Sequence, residues 1–105
     1  MPLLDQKPTL GDIQKYVKEL ERERGFENDG IKTKCLLLGE EIGELFKAVR
    51  KVEKMKVDKN STFTSVEEEL ADILIYLSAI ANRYDIDLET ALRDKEEINK
   101  KRQWK

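Results

Sequence analysis

The chain has 105 residues, with 22 Asp and Glu against 20 Lys and Arg, a net charge of −2, one Cys and no His. Without His there is no Ser-His-Asp or Cys-His machinery, no zincin and no Glu-x-x-His di-iron site, and the lone Cys35 excludes an intramolecular disulfide or a thiolate zinc site. The near-neutral balance lacks the basic surplus of a nucleic-acid binder, so any chemistry falls to carboxylates, Lys, Arg, Tyr or a hard metal ion.

Both prolines, Pro2 and Pro8, lie in the first eight residues, which read as a tail to a single domain spanning 1–105. The first residues resemble neither a signal nor a transit sequence, and no apolar run approaches a membrane span, so a reduced, cytoplasmic setting is expected. Thr9-Leu10-Gly11-Asp12 has the form of a capping box, and Ile13, Tyr16, Val17 and Leu20 follow at helical spacing, predicting a first helix that ends near Gly25. Residues 26–30 form a loop by composition, and a second helix is predicted from near Thr33 to about Met55. The stretch 57–62 is the next connection. Ser65-Val66-Glu67-Glu68 fits a second capping box and opens a third helix to about Tyr84, and Asp87 caps a fourth running towards Arg102. No period-two strand is evident. The fold class is all-α, an antiparallel bundle of about four helices. A domain this small buries only roughly 60–65 % of its unfolded surface, so completion by oligomerisation, as a homodimer or homotetramer, is expected.

An internal echo links the second and third helices. Glu40-Glu41-Ile42-Gly43-Glu44-Leu45 and Glu68-Glu69-Leu70-Ala71-Asp72-Ile73 both read acid, acid, apolar, small, acid, apolar. At about 100° per residue, with Ile42 at zero, Leu38, Leu45, Val49 and Val52 define an apolar stripe and Glu41 falls at about −100°, flanked by Val52, Ala48 and Leu37. Glu44 borders that sector, and Glu40 sits with Lys47 and Lys51 on the charged face. On the third helix, with Leu70 at zero, Val66, Ile73, Leu77, Ile80 and Tyr84 make the stripe. Glu69 falls between Ile80 and Tyr76, with Asp72 at the margin.

A solvated acidic face accounts for Glu40, Glu67 and Glu68 but not for Glu41 or Glu69. A carboxylate in an apolar sector needs a proton, a cation or a metal, because an unpaired buried charge costs several kcal/mol. Side-by-side packing of the two helices would gather Glu41, Glu44, Glu69 and Asp72. An oxygen-only set favours Mg²⁺, with Mn²⁺ able to substitute, over zinc, and Mg²⁺ commonly shares its shell with substrate phosphates. Salt bridges to Lys or Arg are the alternative neutraliser. On the fourth helix Lys95, Asn99 and Arg102 share the face of Leu88 and Leu92, suiting either a phosphate or pairing with the acids.

At these residues the sequence resembles the MazG-like all-α nucleoside triphosphate pyrophosphohydrolases. Glu40-Glu41-x-x-Glu44 followed by Glu69-x-x-Asp72 resembles the family's EExxE…ExxD signature. The run from Glu69 to Leu77, Asp85-Ile86-Asp87-Leu88, and the segment from Lys95 to Arg102 look most like its dCTP pyrophosphatase branch. The resemblance covers roughly residues 10 to 103. It implies Mg²⁺-dependent cleavage of a (d)NTP between the α and β phosphorus atoms, giving the monophosphate and pyrophosphate. Glu41, Glu44, Glu69 and Asp72 match the metal ligands, Tyr76 a position lining the nucleotide pocket, Lys95 and Asn99 phosphate or sugar contacts, and Arg102 completes the Lys-x-x-x-Asn-x-x-Arg pattern. Glu40 is a possible base. Relatives of this branch carry a Trp after the first helix, where this chain has Gly25-Phe26-Glu27 and its only Trp is Trp104. Phe26 either stacks on a base or covers the bundle end, and the base preference leans to dCTP. The competing readings are a related enzyme acting on another pyrophosphate, such as phosphoribosyl-ATP, and a non-catalytic helical module whose acids form salt bridges.

Overall fold

The computed structural model describes residues 1–60 and 64–103, so part of the 57–62 connection and Trp104 lie outside the described residues. It contains α1 (Leu10–Arg24), α2 (Ile31–Val52), α3 (Val66–Arg83) and α4 (Leu88–Lys100). The expected all-α class holds.

The helix ends follow from local chemistry. At α1 the Thr9 hydroxyl accepts from the Asp12 N–H at 3.0 Å and the Asp12 carboxylate accepts from the Thr9 N–H at 2.9 Å, so the predicted capping box is complete. Gly25 ends α1 with φ +79°, a conformation glycine adopts without a Cβ penalty, and the Phe26 N–H returns to the Glu21 carbonyl at 2.8 Å. Ser65 and Asp87 cap α3 and α4 through the Glu68 and Thr90 N–H groups. Helix α2 differs from expectation at both ends. It starts two residues earlier than Thr33, on Gly30, and stops at Val52 rather than Met55. The stop comes where Lys54 takes a left-handed φ of +59° and the Arg50 guanidinium donates to the Lys56 carbonyl at 2.8 Å.

Helices α2 and α3 form the closest pair, α1 packs across α3, and α4 rests mainly on α1. Lys34 lies over Tyr76 while Glu41 meets Glu69, so the residue number rises on one helix as it falls on the other: the pair is antiparallel. Val17, Leu20 and Ala79 form the centre of the core, with Ile13, Tyr16 and Ile75 against them. A polar knot fastens α1 to the α3–α4 turn. The Gln14 amide donates to Asn82 Oδ1 at 3.1 Å and the Ile86 carbonyl at 2.8 Å, and its oxygen accepts from the Leu88 N–H at 2.9 Å.

The direction of burial on α2 and α3 corrects the helical-wheel reading. The stripes of large apolar residues face the interior only in part: Leu38, Ile42, Leu45, Val66, Ile73 and Ile80 are half-buried, but Leu70 is 53 %, Leu77 43 %, Tyr84 60 % and Val52 66 % exposed. What is buried instead is Lys34 and Ala48 on α2, and Glu69, Ser78, Ala79 and Ala81 on α3. The packed face of α2 is therefore centred on the line through Lys34, Glu41 and Ala48, about 100° from Ile42.

Candidate active site

The rotated packing places the acids inside. Glu41 from α2 and Glu69 and Asp72 from α3 each offer a carboxylate oxygen, and these oxygens lie within 4.8 Å of one another. Glu69 is only 2 % exposed. Its Oε1 accepts from the Thr64 hydroxyl, just before the Ser65 cap, and its Oε2 is buried with no hydrogen-bond partner among the described residues. Glu44, one turn beyond Glu41, stands outside this trio and pairs with Lys47 at 3.6 Å, though its charge still acts on Glu41. Glu40 is exposed.

The trio is electrostatically uncomfortable. The hydrogen bond to Glu69, burial, and the charges of Glu69, Asp72 and Glu44 all push Glu41 up, to about 7. Burial and the charges of Glu69 and Glu68 raise Asp72. Glu69 is held below the ordinary carboxylate range by its hydrogen bonds to Glu41 and Thr64. Oxygens on opposite sides of a hard divalent cation stand roughly 4.2 Å apart for Mg²⁺ and up to about 5 Å for Ca²⁺. The trio's span and its unpartnered buried oxygen therefore suit such an ion.

Next to the acids is a cavity of about 170 Å³ whose wall includes Asp72 and Tyr76 of α3, Lys34 and Leu37 of α2, Leu20 of α1 and Phe26 of the α1–α2 loop. Lys34 is 3 % exposed. Its Nζ lies 3.1 Å from Glu21 Oε2 and 3.5 Å from Asp29 Oδ2, with the Phe26 and Tyr76 ring centroids at 5.1 and 5.7 Å. Arg83 grips both oxygens of Glu21, at 2.9 and 2.8 Å, and donates to the Asp29 and Phe26 carbonyls at 2.9 and 3.1 Å. Burial opposes ionisation of Glu21, but the Arg83 and Lys34 hydrogen bonds outweigh it and hold the carboxyl below its usual range. Tyr76 is pushed up by burial and by Glu41 and Asp72.

Tyr76 and Phe26 thus meet at one cavity beside the acids. The α4 residues do not join them within the chain: none of Lys95, Asn99 and Arg102 lines this cavity, because α4 rests on α1 rather than on the α2–α3 seam. Lys95 is exposed, and half-buried Asn99 donates to Glu96 at 3.2 Å while its own Oδ1 is buried without a partner. Sequence reasoning passed over Lys34, Glu21 and Arg83. A signal existed for Lys34, which stands seven residues before Glu41 and so falls in the same apolar sector.

Residues 30–103 match the model of the MazG nucleotide pyrophosphohydrolase domain, a span that includes the whole acidic trio. The chain belongs to this family. The chain is 34 % identical to human dCTP pyrophosphatase 1 over 105 aligned residues and 35 % identical to the rat protein of the same name over 101. Each alignment covers 91 % of this chain and 59 % of the relative, so the chain spans well under two thirds of their length. It is also 29 % identical to the uncharacterized protein YvdC of Bacillus subtilis, over 89 % of this chain and 94 % of that one.

Proposed function

We propose that this MazG domain is a Mg²⁺-dependent nucleoside triphosphate pyrophosphohydrolase that releases pyrophosphate and a monophosphate by cleavage between the α and β phosphates. The observation that carries this reading is Glu69: a buried carboxylate with one oxygen unpartnered, facing two further acids whose proton affinities are raised. A salt-bridged module would set Lys or Arg against these groups, whereas every influence on the Glu41 proton raises its pKa. The names of the human and rat relatives support a lean to dCTP.

Glu41, Glu69 and Asp72 would hold the cation, with Glu44, one turn beyond Glu41, as the proposed fourth ligand. A bound Mg²⁺ would draw charge from the phosphate oxygens and acidify a water. Glu40, on the exposed side of α2, is the candidate proton acceptor. Phe26 and Tyr76 flank the base. Lys95, Asn99 and Arg102 would reach the phosphates from α4 of a second copy, in a homodimer or homotetramer held through the exposed apolar faces of α2 and α3. A reduced, cytoplasmic setting suits the exposed free thiol of Cys35.

The test is turnover of the common NTPs and dNTPs with Mg²⁺, followed as pyrophosphate release. Activity lost in Glu41→Gln and Asp72→Asn, with the helical signal intact, is the expected result. Full activity in both would reject the metal-site assignment, and no turnover of any triphosphate by the unaltered protein would reject the reaction.

A further inference from the structure

Lys34 is more strongly held than its charge requires. Glu21 already receives two hydrogen bonds from the Arg83 guanidinium, and the Asp29 side chain is 38 % exposed and open to water. Lys34 adds a buried ammonium between them. Burying one is costly, and here the cost is offset by the two acids and by the faces of Phe26 and Tyr76, which stand where water would otherwise be. An ammonium has three donors, and Glu21 and Asp29 account for two. The group also borders the cavity, with Asp29 beside it on the same wall.

The recess is small. Its volume of about 170 Å³ is below the roughly 300–1,000 Å³ of pockets that enclose whole drug-sized ligands, so it suits one ring rather than two. Apolar Leu37 and Ile75 and the two aromatic rings fit the flat faces of that ring, and the Lys34–Asp29 pair sets a donor next to an acceptor at its edge.

We propose that Lys34 is the specificity-determining residue of this site: paired with Asp29, it reads the polar edge of a pyrimidine base. Lys34 donates to the ring acceptor (N3 of cytosine, O4 of uracil), and Asp29 accepts from the neighbouring N–H (the N4 amino group of cytosine, N3–H of uracil). Arg83 is a positioning residue, holding the 26–29 loop by its carbonyls so that Phe26 and Asp29 keep their places. This rests on the pyrophosphohydrolase reading and names its substrate class.

The experiment compares the unaltered protein with Lys34→Met on dCTP, dUTP, dATP and deoxyribose triphosphate lacking a base, together with calorimetric binding of dCMP. The unaltered protein is expected to prefer both pyrimidines to dATP. Lys34→Met is expected to lower kcat/KM for the pyrimidines about tenfold or more, the effect of one hydrogen bond to a charged group, and to leave the baseless substrate unchanged. An equal loss on the baseless substrate, or a preference for dATP, overturns the assignment. If Lys34→Met does not fold, the half-exposed Asp29→Asn is put through the same panel, where a shifted dCTP:dUTP ratio supports the assignment and an unchanged one overturns it. The dCMP titration needs no turnover. Binding weakened by either variant in a protein that cleaves no triphosphate would reject the reaction and keep the base-reading role.

Discussion

Glu41 and Glu69 face one another across the α2–α3 seam, and their closeness sets them apart: Glu41 is pushed up to about 7 while Glu69 is held below the ordinary carboxylate range. The pair is stable in that form only while Glu41 keeps its proton. Titrating it away, or replacing it with a cation, are the two ways the seam changes charge.

The first prediction concerns pH. Glu41 binds its proton more tightly in the folded chain, about 7 against an ordinary 4.5, so the folded state holds more protons across that window and stability falls as pH rises through it. Metal-free protein is therefore expected to melt at a higher temperature near pH 5 than near pH 7.5. A flat or rising profile in a calorimetric scan with chelator present would contradict the raised Glu41 pKa.

The same pair links metal to protons. Binding of Mg²⁺ should release a proton below neutrality and tighten as pH rises towards 8, because the ligands must be ionised. Titration calorimetry in buffers of different ionisation enthalpy reads that proton directly, and identical heats at pH 6.5 in all buffers would refute it.

Glu69→Gln separates structure from chemistry. The amide oxygen can still accept from Thr64, while one negative charge leaves the seam. The metal-free variant should melt at or above the unaltered protein, lose its Mg²⁺-dependent stabilisation, and lose activity by more than the roughly 10–100-fold typical of a residue that only supports a metal ligand. A variant still stabilised by Mg²⁺ would move the ligand role elsewhere.

The knot between Gln14 and Asn82 is structural. Asn82 also donates to the Gln14 carbonyl at 2.9 Å, so its truncation strands groups on both helices. Asn82→Ala is expected to cost about 1–3 kcal/mol in urea unfolding, the penalty for leaving buried polar groups unmet. A change below about 0.5 kcal/mol, the range of an ordinary surface substitution, would show that water replaces the amide at no loss.

Assembly is tested at the exposed apolar face. Leu70→Glu with Leu77→Glu should leave helicity unchanged and give a monomer in light scattering, with turnover lost because the α4 residues then have no second copy to serve. An unaltered protein that is itself monomeric at micromolar concentration would remove this role for Lys95, Asn99 and Arg102.

The four helices, the caps of α1, α3 and α4 and the gathering of Glu41, Glu69 and Asp72 were legible because side-chain caps and helical periodicity act within a few residues of one another. The side on which α2 and α3 pack was not. A wheel orders residues by angle and weights them by size, so Leu70, Leu77 and Val52 mark the stripe, yet the buried positions include Ala48, Ser78 and Ala79, which carry little hydropathic signal. The Glu21–Arg83–Lys34 cluster unites three helices through charges that look solvated in sequence. Only the packing brings them together, and only there do the loop carbonyls find Arg83.

Asp72 belongs both to the acidic trio and to the wall of the ring cavity, and Tyr76 follows one turn later on the same helix. On the proposed reading, the interval between the seat of a ring and the seat of a cation would be built into α3, like the fixed jaws of a caliper. The loop at 26–29 borders one seat and touches none of that interval. If the proposed site holds, changes around Phe26 and Asp29 would retune which ring is accepted without moving the cation seat.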